Sequence, residues 1–303
     1  MTTYHPGAHR YAVFVALCTF ALLIAGALVT SNDAALSVPD WPLSYGSITP
    51  PMVGGIRYEH SHRVIAALVG LLTLGLAGLL WRGESRPWVR RLGFAAVGVV
   101  LAQGVLGGLT VLLLLHYGMP VAHACLGQIF FAIVVTLAVV TSRWWVSEQP
   151  KFEDCGAPSI HSVAILNALL IFLQVVLGAG FRHRDIPVWP HVVGALVVVS
   201  AVSWTALALR KRFANSREIS KARIWLHAIL GVQFLLGFAA WWSRLATAEA
   251  PQPVLVMVTL TVVHTVVGAL LFALSVVVGL FCYRLVPRRK EVAAATQRPA
   301  VVG

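Results

Sequence analysis

Eight stretches of about 20 consecutive apolar residues, each long enough to cross a hydrocarbon core, run through this 303-residue chain. Backbone in that medium must satisfy its own hydrogen bonds, which leaves helices or a closed barrel, and stretches of this length are helices. They lie at about 11–30, 58–81, 92–115, 120–142, 161–180, 189–209, 224–243 and 255–283. Only 11% of the residues are charged and 58% are hydrophobic, against about 25% charged in a soluble domain. A cytosolic enzyme, a disordered chain and a nucleic-acid-binding domain are therefore excluded. The net charge of +12 reads as basic loops on one face of a membrane. The first stretch is too long for the apolar core of a signal peptide and no small-x-small cleavage site follows it, so it reads as a retained helix.

Lys and Arg set the expected orientation. Of the 23, 18 fall at the N-terminus, in 82–91, 143–160 and 210–223, and after 283. The opposite side holds Arg57, Arg63, Arg182, Arg184 and Arg244. The positive-inside rule then places both termini in the cytoplasm of a multi-pass plasma-membrane protein. Cys18, Cys125, Cys155 and Cys282 form no CxxC motif, and no pair of them faces the oxidising side, so no disulfide is predicted. The longest outer loop is 31–57. The charged, proline-bearing linker 143–160 is the natural boundary between two halves, 1–148 and 149–303.

The halves repeat. Gln103-Gly-Val-Leu-Gly107, Gln174-Val-Val-Leu-Gly178 and Gln233-Phe-Leu-Leu-Gly237 stand in spans three, five and seven, with Gln103 and Gln233 130 residues apart. His62 and His191 are 129 apart, and His123 and His264 are 141 apart. The expected fold is all-α, eight transmembrane helices as two pseudo-twofold-related four-helix bundles. QxxLG reads as a packing device, with Gly allowing close approach and Gln bonding across helices.

Six of the eleven histidines (His5, His9, His116, His161, His183, His227) read as interfacial or solvated. His60 and His62, His123, His191 and His264 differ, because they put an imidazole in the outer half of every even span. Ionisable groups at membrane depth mark a site or bond a neighbouring helix. Imidazoles on facing helices are what a haem needs for two axial bonds, pairing His62 with His123 and His191 with His264. No cysteine or carboxylate set completes a tetrahedral zinc site in either half. Arg57, Arg63, Arg182, Arg184 and Arg244 are either propionate contacts or ordinary loop charge. Glu59 shares a helix face with His62, whereas His60 lies about 200° from His62 around the helix. Glu59 is either a carboxylate beside one haem or a cap on the helix N-terminus.

Glu59-His60-Ser61-His62-Arg63 resembles the ExxHR signature of the haem A synthase family, and Leu36-Ser-Val-Pro-Asp-Trp-Pro42 resembles that family's first outer loop. The resemblance covers nearly the whole chain and implies the following roles. The N-terminal half would hold the substrate haem O between His62 and His123, with Glu59 as catalytic carboxylate. The C-terminal half would hold a resident haem b between His191 and His264 and pass electrons. The reaction would oxidise a ring methyl of haem O to the formyl group of haem A. Membrane lipid, a haem O synthase and an electron donor are the candidate partners. Some members carry a cysteine pair in the first outer loop, which here has none, so no thiol chemistry carries over. The alternatives are a di-haem electron carrier of the cytochrome b type and a transporter.

Overall fold

The computed structural model describes residues 4–287. Its helices are α1 (Pro6–Ser31), α2 (Ile56–Gly83), α3 (Pro87–Leu112), α4 (Met119–Val140), the short α5 (Arg143–Val146), α6 (Ile160–Arg182), α7 (Trp189–Arg212), α8 (Arg217–Ala246) and α9 (Leu255–Leu285). All but α5 are long and apolar enough to cross a membrane. Among the described residues the only strand-like pairing is the isolated bridge between Ser44 and Ser47. The protein is an all-α, multi-pass membrane protein.

Local chemistry explains where the helices begin. Proline stands in the first turn of α1, α3, α4 and α7, where its missing N–H costs nothing. Ser159 and Ser216 cap α6 and α8 through their hydroxyls. Several boundaries differ from the apolar pattern, most clearly in the third and seventh spans. The third span, expected over 92–115, begins at Pro87 and ends at Leu112, because Leu114 and Leu115 take left-handed φ values of 51° and 57° that a helix cannot continue. The seventh, expected over 224–243, begins at Arg217. Most of the basic segment 210–223 is thus helix extending beyond the apolar stretch.

The packing forms two closed rings. α1 packs on α2, α2 on α3, α3 on α4 and α4 on α1; α6, α7, α8 and α9 repeat the circuit. Leu76, Leu80, Phe130 and Leu137 fill the first ring, and Leu209, Phe213, Leu226 and Leu285 fill the second. Leucines such as Leu17, Leu71, Leu101 and Leu235 face outward, as expected where the surrounding solvent is hydrocarbon. The rings meet along α1, α4, α6 and α9, with Ala27, Val258, Val262 and Val266 in the seam. At the end of the bundle that carries the histidines, Arg182 closes the seam. Its guanidinium donates to the Ala27 carbonyl (2.8 Å) and Ser31 Oγ (2.7 Å) of α1, and to Thr265 Oγ1 (2.6 Å) of α9. The backbone N–H of Gly118 reaches Asp185 across the same seam at 3.1 Å. At the other end, an apolar cleft of about 540 Å³ lies between α1, α4 and α9, lined by Leu17, Phe20, Phe131 and Trp144.

Candidate functional site

Helices of alternating direction bring the C-terminal part of every odd span beside the N-terminal part of the next even one. Four times, this sets a glycine against a histidine. A Cβ added to Gly26 would lie 3.0 Å from His62 Cε1, one on Gly107 2.9 Å from His123 Cε1, one on Gly178 2.9 Å from His191 Cε1, and one on Gly237 3.0 Å from His264 Cε1. Carbon–carbon contacts are comfortable at about 3.5–4.0 Å, so each imidazole occupies space that only glycine leaves. The ring also lies next to the backbone of the residue four positions before that glycine, namely Leu22, Gln103, Gln174 and Gln233.

The glutamines of the QxxLG strings act on the same histidines. Gln103 Nε2 donates to the His123 carbonyl at 2.9 Å, and Gln174 Nε2 to that of His191 at 2.8 Å. Gln174 Nε2 also lies 3.0 Å from His191 Nδ1. In two of the three strings the glutamine therefore ties down the histidine-bearing helix as well as packing against it. The first span carries the glycine without the glutamine, so the motif search overlooked Gly26. The shared signal was a glycine near the end of each odd span.

The seated imidazoles face each other in pairs. The ring centres of His62 and His123 are 6.4 Å apart with planes at 81°, and those of His191 and His264 are 6.2 Å apart at 89°. A metal–nitrogen bond of about 2 Å on each side, plus about 1.1 Å from nitrogen to ring centre, places two imidazoles sharing one metal about 6.2 Å apart. Both pairs match. The Nδ1 atoms of His62, His123 and His264 are buried with no hydrogen-bond partner, an arrangement unfavourable for an imidazole that only fills a core. The residues present fit axial ligation of a haem in each ring of helices.

Only the first pair has a structured loop at its mouth. Glu59 is buried at 4% relative exposure. Its Oε1 accepts from Arg63 at 2.6 Å and its Oε2 from the Val38 backbone N–H at 2.9 Å. Glu59 also lies in the first turn of α2, where a carboxylate favours the helix dipole, so that alternative stands beside its bonds to Arg63 and Val38. Arg63 also donates to the carbonyls of Asp40 and Leu43, both at 2.7 Å, and of Val38 at 3.2 Å. The Asp40 carboxylate accepts from the N–H groups of Tyr45 and Gly46, both at 2.7 Å. Those bonds, led by Gly46, hold its carboxyl below the usual carboxylate range. His60 turns to this loop and bonds Ser44 Oγ at 2.9 Å. Trp41 lies over Gly108, the residue after the seat of His123. The segment Leu36–Pro42 is thus fastened across the first histidine pair.

The remaining candidates are scattered. Arg57 is exposed and bonds Tyr58, Arg184 is exposed at the turn after α6, and Arg244 lies 5.7 Å from the Phe181 ring centre. Arg182 and Arg63 are engaged as described. His183, read as interfacial or solvated, is half-buried beside Arg182, and burial pushes its imidazole down to about 4.

Residues 56–186 match the family model described as cytochrome oxidase assembly protein. The chain is 26% identical to a haem A synthase of Lysinibacillus sphaericus over 91% of this chain and 93% of that protein. It is 28% identical to one of Symbiobacterium thermophilum over 72% and 81%, and 32% identical to one of Bacillus pumilus over 57% of each. Each of these relatives is a haem A synthase, and the chain is similar to them over more than half of its length. The model match runs from the start of α2, with Glu59, His62 and Arg63, through α4 with His123, to the turn after α6. The eight spanning helices of the chain are continuous, and its buried imidazoles sit near helix ends. That differs from the broken mid-membrane helices expected of a transporter.

Proposed function

We propose that the chain is a haem A synthase, an oxidoreductase that converts a ring methyl of haem O to the formyl group of haem A. One observation carries this reading beyond the similarity to haem A synthases. Two matched imidazole pairs exist, and only the first has a buried carboxylate–arginine pair holding a loop across it. At the positions 129 residues after Glu59 and Arg63 stand Val188 and Val192. An electron carrier with two equivalent haems has no use for that difference.

In this reading the half 1–148 takes haem O between His62 and His123, and the half 149–303 holds a resident haem b between His191 and His264. Bound haem b supplies one-electron chemistry. The protein does the rest by position. The glycine seats and the glutamine amides fix ring orientation, which orients each ligand toward its iron. Glu59 lies one turn before His62 on the same helix face and supplies the carboxylate. Carboxylate oxygens have about four acceptor sites in all, so Glu59 keeps capacity for a proton while bound by Arg63 and Val38. The loop with Trp41 excludes water from the mouth. Arg57, Arg63, Arg182, Arg184 and Arg244 are the cations available to haem propionates, and Arg182 stands between the two sites. The basic segments support cytoplasmic termini and haem sites toward the outer face; Arg288, Arg289, Lys290 and Arg298 lie outside the described residues. The reading calls for a haem O synthase as supplier and for an electron donor.

The test is to extract haem from membranes of cells making this protein in a host that accumulates haem O. Appearance of the alcohol and aldehyde forms is the expected result. Unchanged haem O alongside intact low-spin haem would favour the electron carrier.

A further inference from the structure

Arg182 is tied to three helices, and each of them carries part of a histidine site. On its own helix, α6, it lies four residues after Gly178, the seat of His191, which is one turn along the same face. Across the seam its Nη2 donates to the Ala27 carbonyl at 2.8 Å and to Ser31 Oγ at 2.7 Å, both on α1. Ala27 follows Gly26, the seat of His62. Its Nη1 donates to Thr265 Oγ1 at 2.6 Å and lies 3.5 Å from the Thr261 carbonyl, both on α9. Thr265 follows His264. Ser31 Oγ and Thr261 Oγ1, 2.9 Å apart, close the circuit between α1 and α9. The repeat supplies no second copy. Four residues after Gly26 stands Thr30, whose hydroxyl bonds the Gly26 carbonyl of its own helix at 3.4 Å.

All four acceptors of Arg182 are neutral. Among the described residues no carboxylate lies within ion-pair distance of it. Asp185, three residues on, accepts instead from the Gly118 N–H. Both terminal nitrogens are occupied by the protein, so Arg182 acts on a bound haem through its charge rather than by gripping a propionate. A guanidinium is always charged, and neutral acceptors orient that charge without cancelling it. Its field reaches the His264 ring, and Arg244 brings a second cation near it. A unit charge about 12 Å away, at an effective dielectric of about 20, shifts an equilibrium that changes the local charge by one about tenfold. Reduction of a ferric haem by a one-electron donor is such an equilibrium, because it removes one positive charge from the site. A fixed cation therefore favours the ferrous form.

We propose that Arg182 is a positioning residue that sets the midpoint potential of the resident haem b: unpaired and fixed to both histidine sites, it keeps the C-terminal haem readily reduced. The proposal rests on the reading that haem b lies between His191 and His264.

The experiment is a potentiometric titration of the low-spin haem in the purified protein, followed by absorbance. Arg182→Gln should lower the midpoint by about 59 mV, the one-electron equivalent of a tenfold loss of ferrous haem, while Arg182→Lys stays close to the wild type. Ser31→Asp and Ser31→Asn probe the same point with Arg182 left in place. The aspartate should lower the midpoint by a similar amount, and the uncharged asparagine of equal size should not. A merely structural role would give equal shifts in the Lys and Gln variants and in the Asp and Asn variants, and either equality overturns the proposal. If Arg182→Gln fails to retain haem, the Asp and Asn comparison decides. His264→Ala is measured separately. If it keeps the low-spin haem at the same midpoint, the haem b reading falls and this proposal with it. If the low-spin haem depends on His264 but no change of charge moves its midpoint, the reading stands and the role of Arg182 falls.

Discussion

A single methyl group at Gly178 or Gly237 should cost the C-terminal half its haem. The Cβ introduced by Gly178→Ala would meet His191 Cε1 at 2.9 Å and Nδ1 at 3.2 Å; that of Gly237→Ala would meet His264 Cε1 at 3.0 Å. Carbon–carbon contacts need about 3.5–4.0 Å, so ring or helix must give by roughly 0.5–1 Å. A metal site tolerates displacements of about 0.2 Å, and the ring separation of 6.2 Å leaves no slack for sharing an iron. Overpacking of this size costs about 1–3 kcal/mol, which corresponds to roughly 5–150-fold weaker retention. Gly104→Ala on α3 and Gly231→Ala on α8 are matched controls, because nothing lies within 4 Å of the added carbon. Low-spin absorbance per protein and haem transfer to apomyoglobin read the effect, with helix content checked by circular dichroism. Full low-spin haem with control-like retention in both Gly178→Ala and Gly237→Ala would refute the idea that these glycines seat the ligands.

Three further outcomes are expected. Replacing His191 or His264 by alanine should abolish low-spin haem in the C-terminal half while the protein still accumulates in the membrane; a full complement in both variants would reassign that pair. Glu59→Gln should leave haem b in place and reduce haem A formation to background, whereas wild-type haem A would leave Glu59 as a loop anchor only. His62→Ala should be inactive and His60→Ala largely active, because His60 turns to Ser44 and His62 to His123; the opposite ranking in a haem A assay would mean the roles are exchanged.

Hydropathy alone located all eight spans, because in hydrocarbon a helix must be apolar along its length. It could not locate their ends. Pro87 and Ser216 started helices inside charged sequence, and the left-handed residues at 114 and 115 stopped one inside apolar sequence. The histidine pairs were legible because an imidazole at membrane depth is rare and these four recur at repeat-related positions. The seats were legible only in part. Gln and Gly announced themselves in three spans, but Gly26 lies in Leu-Leu-Ile-Ala-Gly, where nothing marks it, and the use of a missing Cβ becomes visible only when the facing ring is in place. From the sequence Arg63 reads as a propionate contact or ordinary loop charge. Its bonds to the carbonyls of Val38, Asp40 and Leu43 depend on how the long loop 32–55 returns over α2, which no periodicity encodes.

The departures from the repeat all fall on one side. An ion pair buried where Glu59 and Arg63 lie loses hydration and is sustained only when its remaining donors and acceptors are also satisfied. Here they are satisfied by the backbone of one loop, so the pair and Leu36–Pro42 stabilise each other and neither makes sense alone. At the matching positions in the second half, Val188 and Val192 need no loop, and only the short turn from His183 to Val188 joins α6 to α7. The same half has a glutamine four residues before each glycine that faces its two histidines, whereas Leu22 stands at that position opposite His62. A retained haem calls for firmly held ligands and a plain mouth; an exchanged one calls for a ligand that yields and a mouth that can be organised around whatever is bound. Under the proposed function, two four-helix rings of like packing that differ in a few residues at one end meet both demands.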